Sequence, residues 1–254
     1  MDIEVACKSK ERKGISKLLE KCRTFVVTLI WWIVLVFDAL ILALLLVILP
    51  DRFRNSVALR TASKLLLKVA GVKVRIHGLE NIPENQPQIF VANHKSWFDS
   101  FILSAFLPVP VTFVSKKEMF KVPVYNYIMK RLRFVCVDRE RARGSITGID
   151  ETIKLFDSGL SMVIYPEGTT RSTQQLGPFK RGAVLLSAIA QVPIVPIALI
   201  GTEKFRFQKG PWIHYGIQTE ICIFKAIEAY SMERLEQKDT VRCIRDEIQK
   251  RLNE

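Results

Sequence analysis

Residues 87–107 read PQIFVANHKSWFDSFILSAFL. The opening PQIFVAN (87–93) is a short β-branched and aromatic run of strand type, and the stretch around 97–107 repeats its apolar residues at helical spacing. A strand that gives way through a polar break to a helix is the repeating unit of an α/β domain. The same alternation extends in both directions. VKVRIHG (72–78), VTFVS (111–115), RFVCVD (133–138), SMVIYP (161–166), PIVPIALI (193–200) and TEICIF (219–224) read as further strands, with helical stretches around 122–131, 145–158 and 178–190. The expected fold of residues 71–254 is therefore α/β, a largely parallel sheet flanked by helices, with ligand sites at the strand ends. The tail TVRCIRDEIQKRL puts Val241, Ile244, Ile248 and Leu252 on one face of a packed terminal helix.

The N-terminal part has another composition. Residues 1–23 are polar and basic, and 24–50 form an apolar run, TFVVTLIWWIVLVFDALILALLLVILP, whose only charge is Asp38. The run exceeds the roughly 20 residues a bilayer core requires. It is also too long for a signal-peptide core of roughly 7–15 residues, and no small-x-small cleavage pattern follows it. An ionised Asp38 at mid-bilayer would cost at least about 2.5 kcal/mol. Two arrangements of this membrane anchor stay open: one spanning helix, or a re-entrant hairpin of two short helices bent near Asp38. Residues 51–70 read as an amphipathic basic helix with Leu59, Leu65, Leu66 and Val69 on its apolar side. It lies either on anionic lipid or against its own domain.

Lys and Arg number 38 against 25 Asp and Glu, a net charge of +13, which calls for an anionic partner. The basic residues are dispersed without interleaved aromatics, so nucleic acid is not expected and an anionic membrane surface is. Five scattered cysteines without a CxxC pair fit a reduced compartment and single packed thiols, and no metal site is expected.

Two segments can carry chemistry. His94 lies in NHKSWFD with Asp99 five residues on. On a regular helix that step turns the side chains about 140° apart, so they meet only if a turn intervenes, with Ser96 as the N-cap of the helix that follows. Asp99 would then take one ring nitrogen of His94 and leave the other as a general base. The plain alternative is a structural histidine. The second segment is YPEGTTRS (165–172), where Gly168 permits an unusual turn and Thr169, Thr170 and Arg171 supply donors suited to a phosphate. Glu167 would orient an arginine or an acceptor hydroxyl. The alternative is a polar turn with Glu167 in a surface ion pair.

In order along the chain, NHKSWFD, a strand ending FVCVDR, YPEGTTRS and VPIVPIAL resemble the four-block signature of the lysophosphatidic acid acyltransferases, the 1-acyl-glycerol-3-phosphate acyltransferases, over about residues 72–205. The resemblance implies that His94 is the catalytic base and Asp99 its partner. It further implies that Lys116, Arg139 and the block Glu167, Gly168, Thr169, Thr170 and Arg171 bind the acceptor, and that Pro193–Leu199 frame the acyl site. The family block is often EGTR; here a second Thr precedes Arg171. The implied reaction moves a fatty acyl group from a thioester, acyl-CoA or acyl carrier protein, to the sn-2 hydroxyl of lysophosphatidic acid. No cofactor is expected beside that co-substrate. The anchored enzyme would face the cytoplasm and take its lipid acceptor from the membrane. Backbone N–H groups at the start of the helix after His94 would hold the oxyanion. Glycerol-3-phosphate, another lysophospholipid or a lyso-aminolipid is the alternative acceptor, and a non-catalytic anionic-lipid-binding protein the alternative of another class.

Overall fold

The alternation of faces along each central strand organises this chain. In strand β2 (Ile89–Ala92), Phe90 and Ala92 enter one hydrophobic core while Ile89 and Val91 enter another; in β5 (Ser161–Ile164), Val163 joins the first and Met162 and Ile164 the second. Side chains of a strand point alternately to its two sides, so a strand apolar on both needs cover on both. The computed structural model describes residues 2–137, 149–170, 175–205, 212–229 and 234–254.

Among the described residues, seven strands form one sheet. Besides β2 and β5 they are β1 (Lys73–His77), β3 (Val111–Lys116), β4 (Val135–Val137), β6 (Ile194–Ile200) and β7 (Gln218–Ile223), in the order β1-β7-β6-β2-β5-β3-β4. β6, β2, β5, β3 and β4 are parallel to one another; β7 runs antiparallel to β6, and β1 is parallel to β7. The helices are α1 (Asp2–Ile48), α2 (Asp51–Phe53), α3 (Leu59–Val69), α4 (Phe98–Phe106), α5 (Pro123–Arg131), α6 (Ile149–Asp157), α7 (Gly182–Ala190) and α8 (Arg234–Asn253). The core on one side of the sheet draws on α1, α3, α4 and α5, and the core on the other on α6, α7 and α8. All seven expected strands are present. The tail helix buries Ile244 and Ile248 as expected, although it begins six residues before the quoted segment.

The apolar run differs from one of its two expected forms. It is a single helix that passes through Asp38 without a break, so the two-helix hairpin is not formed. Thr28, Trp31, Leu42 and Leu46 are buried at steps of 3, 11 and 4 residues, each close to a whole number of helical turns, and Asp38 falls half-buried on the same stripe. The charge that argued for a bend faces the protein instead. Leu29, Val36, Phe37, Leu40, Leu44 and Val47 are exposed on the other side. Polar contacts pin α1 along its length: Ile213 N–H donates to Thr28 Oγ1 (2.9 Å), the Trp31 indole N–H to Leu66 O (3.0 Å), and the Arg131 guanidinium to Leu46 O. That last carbonyl lies in the final turn, where an orphan acceptor and the negative end of the helix dipole both favour a cation. From Thr28 to Leu46 the attachment extends about 27 Å at 1.5 Å per residue.

Residues 51–70 are not one continuous α-helix. A short α2 leads through a π turn (Arg54–Ala58) into α3. Asn55 in that turn is buried and donates to both Val111 O (2.9 Å) and Leu132 O (3.0 Å), fastening the turn to β3 and to the end of α5. The buried face of α3 is Leu59, Ala62, Ser63, Leu66 and Leu67, while Leu65 is exposed. α3 thus packs on its own domain.

Candidate active site

β2 and β5 are parallel neighbours in register Ile89–Met162, Phe90–Val163, Val91–Ile164. Continuing that register sets His94 beside Glu167, so NHKSWFD and YPEGTTRS leave the same edge of the sheet side by side. From β2 the chain crosses one side of the sheet through α4 to β3, and from β5 it crosses the other side through α7 to β6, so the two connections diverge at this edge, which makes it the crevice where open α/β sheets bind ligands.

The turn at the end of β2 begins with Asn93, fully buried. Its side-chain amide donates to Leu199 O (2.8 Å) and accepts from Leu199 N–H (2.7 Å). The side chain thus continues the ladder with β6 past Ala92, and the Asn93 backbone is free to turn. Five residues, 93–97, separate β2 from α4, and Asp99 sits in the helix's first turn. Asp99 Oδ2, fully buried, accepts from Lys95 N–H (2.7 Å), Ser96 N–H (2.8 Å) and the His94 ring at Nδ1 (2.9 Å). A carboxylate at this position returning to backbone N–H groups is the acidic half of a capping box. The Ser96 hydroxyl accepts from Phe98 N–H (3.3 Å), as a capping residue does, although α4 proper begins two residues later.

An acceptor already holding two backbone N–H groups requires the third contact to be a donor. His94 therefore carries a proton on Nδ1, and in the neutral ring this leaves the lone pair on Nε2. The ring is partly open, with 17% of its side chain exposed, enough for a substrate hydroxyl to approach. The Lys95 and Ser96 N–H groups, however, are committed to Asp99. Among the N–H groups expected to hold the oxyanion at the start of the helix, that of Phe98 is likewise taken, by Ser96 Oγ.

At the end of β5, Gly168 N–H donates to Tyr165 O (3.0 Å), closing a tight turn, and Gly168 takes φ of +72°, a conformation glycine adopts without steric cost. Glu167 is buried. Its Oε2 accepts from Gly177 N–H (2.8 Å), and its Oε1 lies 3.5 Å from His94 N–H. The carboxylate thus sits between the histidine's turn and the segment leading to α7. Thr169 is partly buried and Thr170 exposed. Lys116 is exposed at the end of β3, two strands from β2, or roughly 10 Å across at the usual strand spacing. Arg139 and Arg171 lie outside the described residues.

Sequence reasoning missed two members of this cluster. Tyr165 stacks on His94 with ring centroids 4.0 Å apart and planes 13° from parallel, and its hydroxyl shares a hydrogen bond with Ser100 Oγ (3.2 Å). Burial, and secondarily the Asp99 carboxylate, push the Tyr165 phenol well above its ordinary range against the opposing Ser100 bond. Asn93 was visible only as the last residue of a strand.

The acyltransferase family model matches residues 73–200, from β1 to the end of β6. The 1-acyl-sn-glycerol-3-phosphate acyltransferase of Pseudomonas aeruginosa is 32% identical over 190 residues, covering 72% of this chain and 71% of that protein. The protein of the same description from Borreliella burgdorferi is 26% identical over 196 residues, covering 77% and 78%. A chloroplastic 1-acyl-sn-glycerol-3-phosphate acyltransferase of Brassica napus is 37% identical over 133 residues, where the match takes in 52% of this chain and 38% of that longer protein. The crystal structure of the 1-acyl-sn-glycerophosphate (LPA) acyltransferase of Thermotoga maritima shares the fold, with a TM-score of 0.73 at 21% identity over 91% of this chain and 97% of that one. A family match over half the chain, and a relative above 30% identity spanned over two thirds of its length, establish that this chain belongs to the acyltransferase family that includes the 1-acyl-sn-glycerol-3-phosphate acyltransferases.

Proposed function

We propose that this protein transfers a fatty acyl group from an acyl thioester to the free sn-2 hydroxyl of lysophosphatidic acid, giving phosphatidic acid, with His94 as the general base. The observation that carries the reading is the His94–Asp99 contact of 2.9 Å at an open strand-end crevice. A secondary alcohol is a poor nucleophile at neutral pH, so Nε2 takes its proton as the oxygen attacks the thioester carbonyl. Asp99 keeps the ring in the competent tautomer and stabilises the imidazolium that forms. A C–O bond forms and the C–S bond breaks; the proton held on His94 passes to the departing thiolate. No acyl-enzyme is needed. The names of the relatives favour a glycerophosphate acceptor. Lys116, Arg139, Thr169, Thr170 and Arg171 are the proposed holders of its phosphate. Glu167, with its carboxylate on backbone N–H groups, acts in this reading by fixing the turn that receives the acceptor.

The exposed apolar side of α1 is proposed to sit in one leaflet, with the domain on the cytoplasmic surface. α1 is long and apolar enough to cross a membrane over Leu19–Ile48. Its attachment to the domain over about 27 Å favours lying along the domain over leaving it to span. Placing Glu at Leu40 and Leu44 together should then release the enzyme from vesicles without unfolding it. The deciding assay is thiol release from acyl-CoA with and without lysophosphatidic acid. Acceptor-dependent release with formation of phosphatidic acid supports the reading; equal release with glycerol-3-phosphate or another lysophospholipid would reassign the acceptor. Arg139→Ala should raise the KM for lysophosphatidic acid far more than that for the donor, with Lys restoring only part because a single point charge does not replace a bidentate contact.

A further inference from the structure

The bond to Asp99 fixes the His94 ring at one edge only. A single hydrogen bond at Nδ1 sets the tautomer but leaves the imidazole plane free to tilt about that contact, and a tilt swings Nε2 away from the substrate oxygen. Something must bear on the face of the ring. Tyr165 does so, nearly parallel at 4.0 Å. Its own ring is held at both ends. The backbone leaves β5 directly into the turn closed by Gly168 N–H to Tyr165 O, and the hydroxyl is tied to Ser100, the residue after Asp99 on α4. The carboxylate that grips Nδ1 and the hydroxyl that anchors the stacking ring thus belong to adjacent residues of one helix.

We propose that Tyr165 is a positioning residue for the reaction. Its ring fixes the plane of the His94 imidazole, and its bond to Ser100 keeps that ring in register with Asp99, so that Nε2 holds one direction. The proposal rests on His94 being the base. A π face close to the imidazole also favours the cation formed when Nε2 takes up the proton. Burial keeps the phenol protonated, which preserves the bond to Ser100 at the pH values where the enzyme would be assayed.

Tyr165→Phe keeps the stack and removes the tether; Tyr165→Leu removes both; Ser100→Ala removes the tether from the other side. Acyl transfer should fall about 2- to 10-fold in kcat for Tyr165→Phe and equally for Ser100→Ala, the measure of one lost hydrogen bond. The double variant Tyr165→Phe with Ser100→Ala should be no worse than either alone, because both remove the same bond. Tyr165→Leu should lose about 10- to 100-fold in kcat, as misplacement of a catalytic group does. KM for acyl-CoA and for lysophosphatidic acid should stay within about twofold in all three, since no contact made equally in ground and transition states is removed. Nitrogen-15 imidazole spectra give a readout independent of turnover. The chain has three histidines, His77, His94 and His214, so the His94 signal is assigned by its disappearance in His94→Ala. The native spectrum should show one Nδ1–H tautomer at His94, and Tyr165→Leu should broaden it or mix it with the other. A wild-type kcat and an unchanged His94 signal in Tyr165→Leu would overturn the proposal, as would a rise in KM with kcat intact. Full activity in His94→Ala would overturn the base assignment instead, while the His94 spectra would still report whether Tyr165 holds the ring.

Discussion

The turns that end β2 and β5 lie side by side and do different work by different means. Past Asn93, the β2 turn closes mainly on itself: the His94 ring and the Lys95 and Ser96 N–H groups all meet Asp99 within six residues of chain, around one carboxylate oxygen. The β5 turn reaches outward, Tyr165 to His94 and Ser100, and Glu167 to His94 and Gly177, across contacts mostly about seventy residues apart in sequence. The first turn fixes the chemistry of the ring, its tautomer and free lone pair. The second fixes where the ring is. A local motif can be complete in itself and still depend on a neighbouring strand for its orientation.

Each side of this comparison can be tested separately. The largest effect should come from His94→Ala, which removes the proposed base; kcat should fall about 10²- to 10⁴-fold with sedimentation on vesicles and thermal melting unchanged. More than a tenth of the activity remaining would show that the β2 turn carries no base. Asp99→Asn keeps the size of the side chain but weakens its hold on the ring, and kcat should drop on the order of 10²-fold, less than in His94→Ala. Equal and complete loss in both, accompanied by a lower melting temperature, would mean that the turn has collapsed.

Glu167→Gln tests the β5 side. The amide still offers Gly177 an acceptor but turns a donor toward His94 N–H, so unfolding in denaturant should become easier by about 1–3 kcal/mol, while kcat falls only a few-fold. A loss of kcat matching His94→Ala with stability intact would mean that Glu167 touches substrate, and the division between the two turns would fail. Ser96→Ala should be mildest. It removes the hydroxyl bond to Phe98 N–H and should cost about 0.5–1 kcal/mol with kinetics near wild type, because Asp99 receives the Ser96 backbone N–H and not its side chain.

The sequence by itself determined the strand-and-helix alternation, because a strand buried on both sides must be apolar throughout and its ends must carry turn residues. It made the His94–Asp99 pair possible without deciding it: residues five apart on a regular helix point away from each other, a turn at NHKS lets them meet, and the resemblance rather than the spacing singled the pair out. It did not determine which strands are neighbours. That β5 lies against β2 follows from how the chain packs its helices on the two sides of the sheet, and so Tyr165 and Glu167 were legible as a turn but not as partners of His94. Nor could uniform hydrophobicity along 24–50 reveal which side of α1 would be covered. In the sequence alone Asp38 left open whether the apolar segment runs straight or bends. Packing set it half-buried on the stripe of Trp31, Leu42 and Leu46, and which side of a helix faces the domain is decided by the partners that cover it, not by its own sequence.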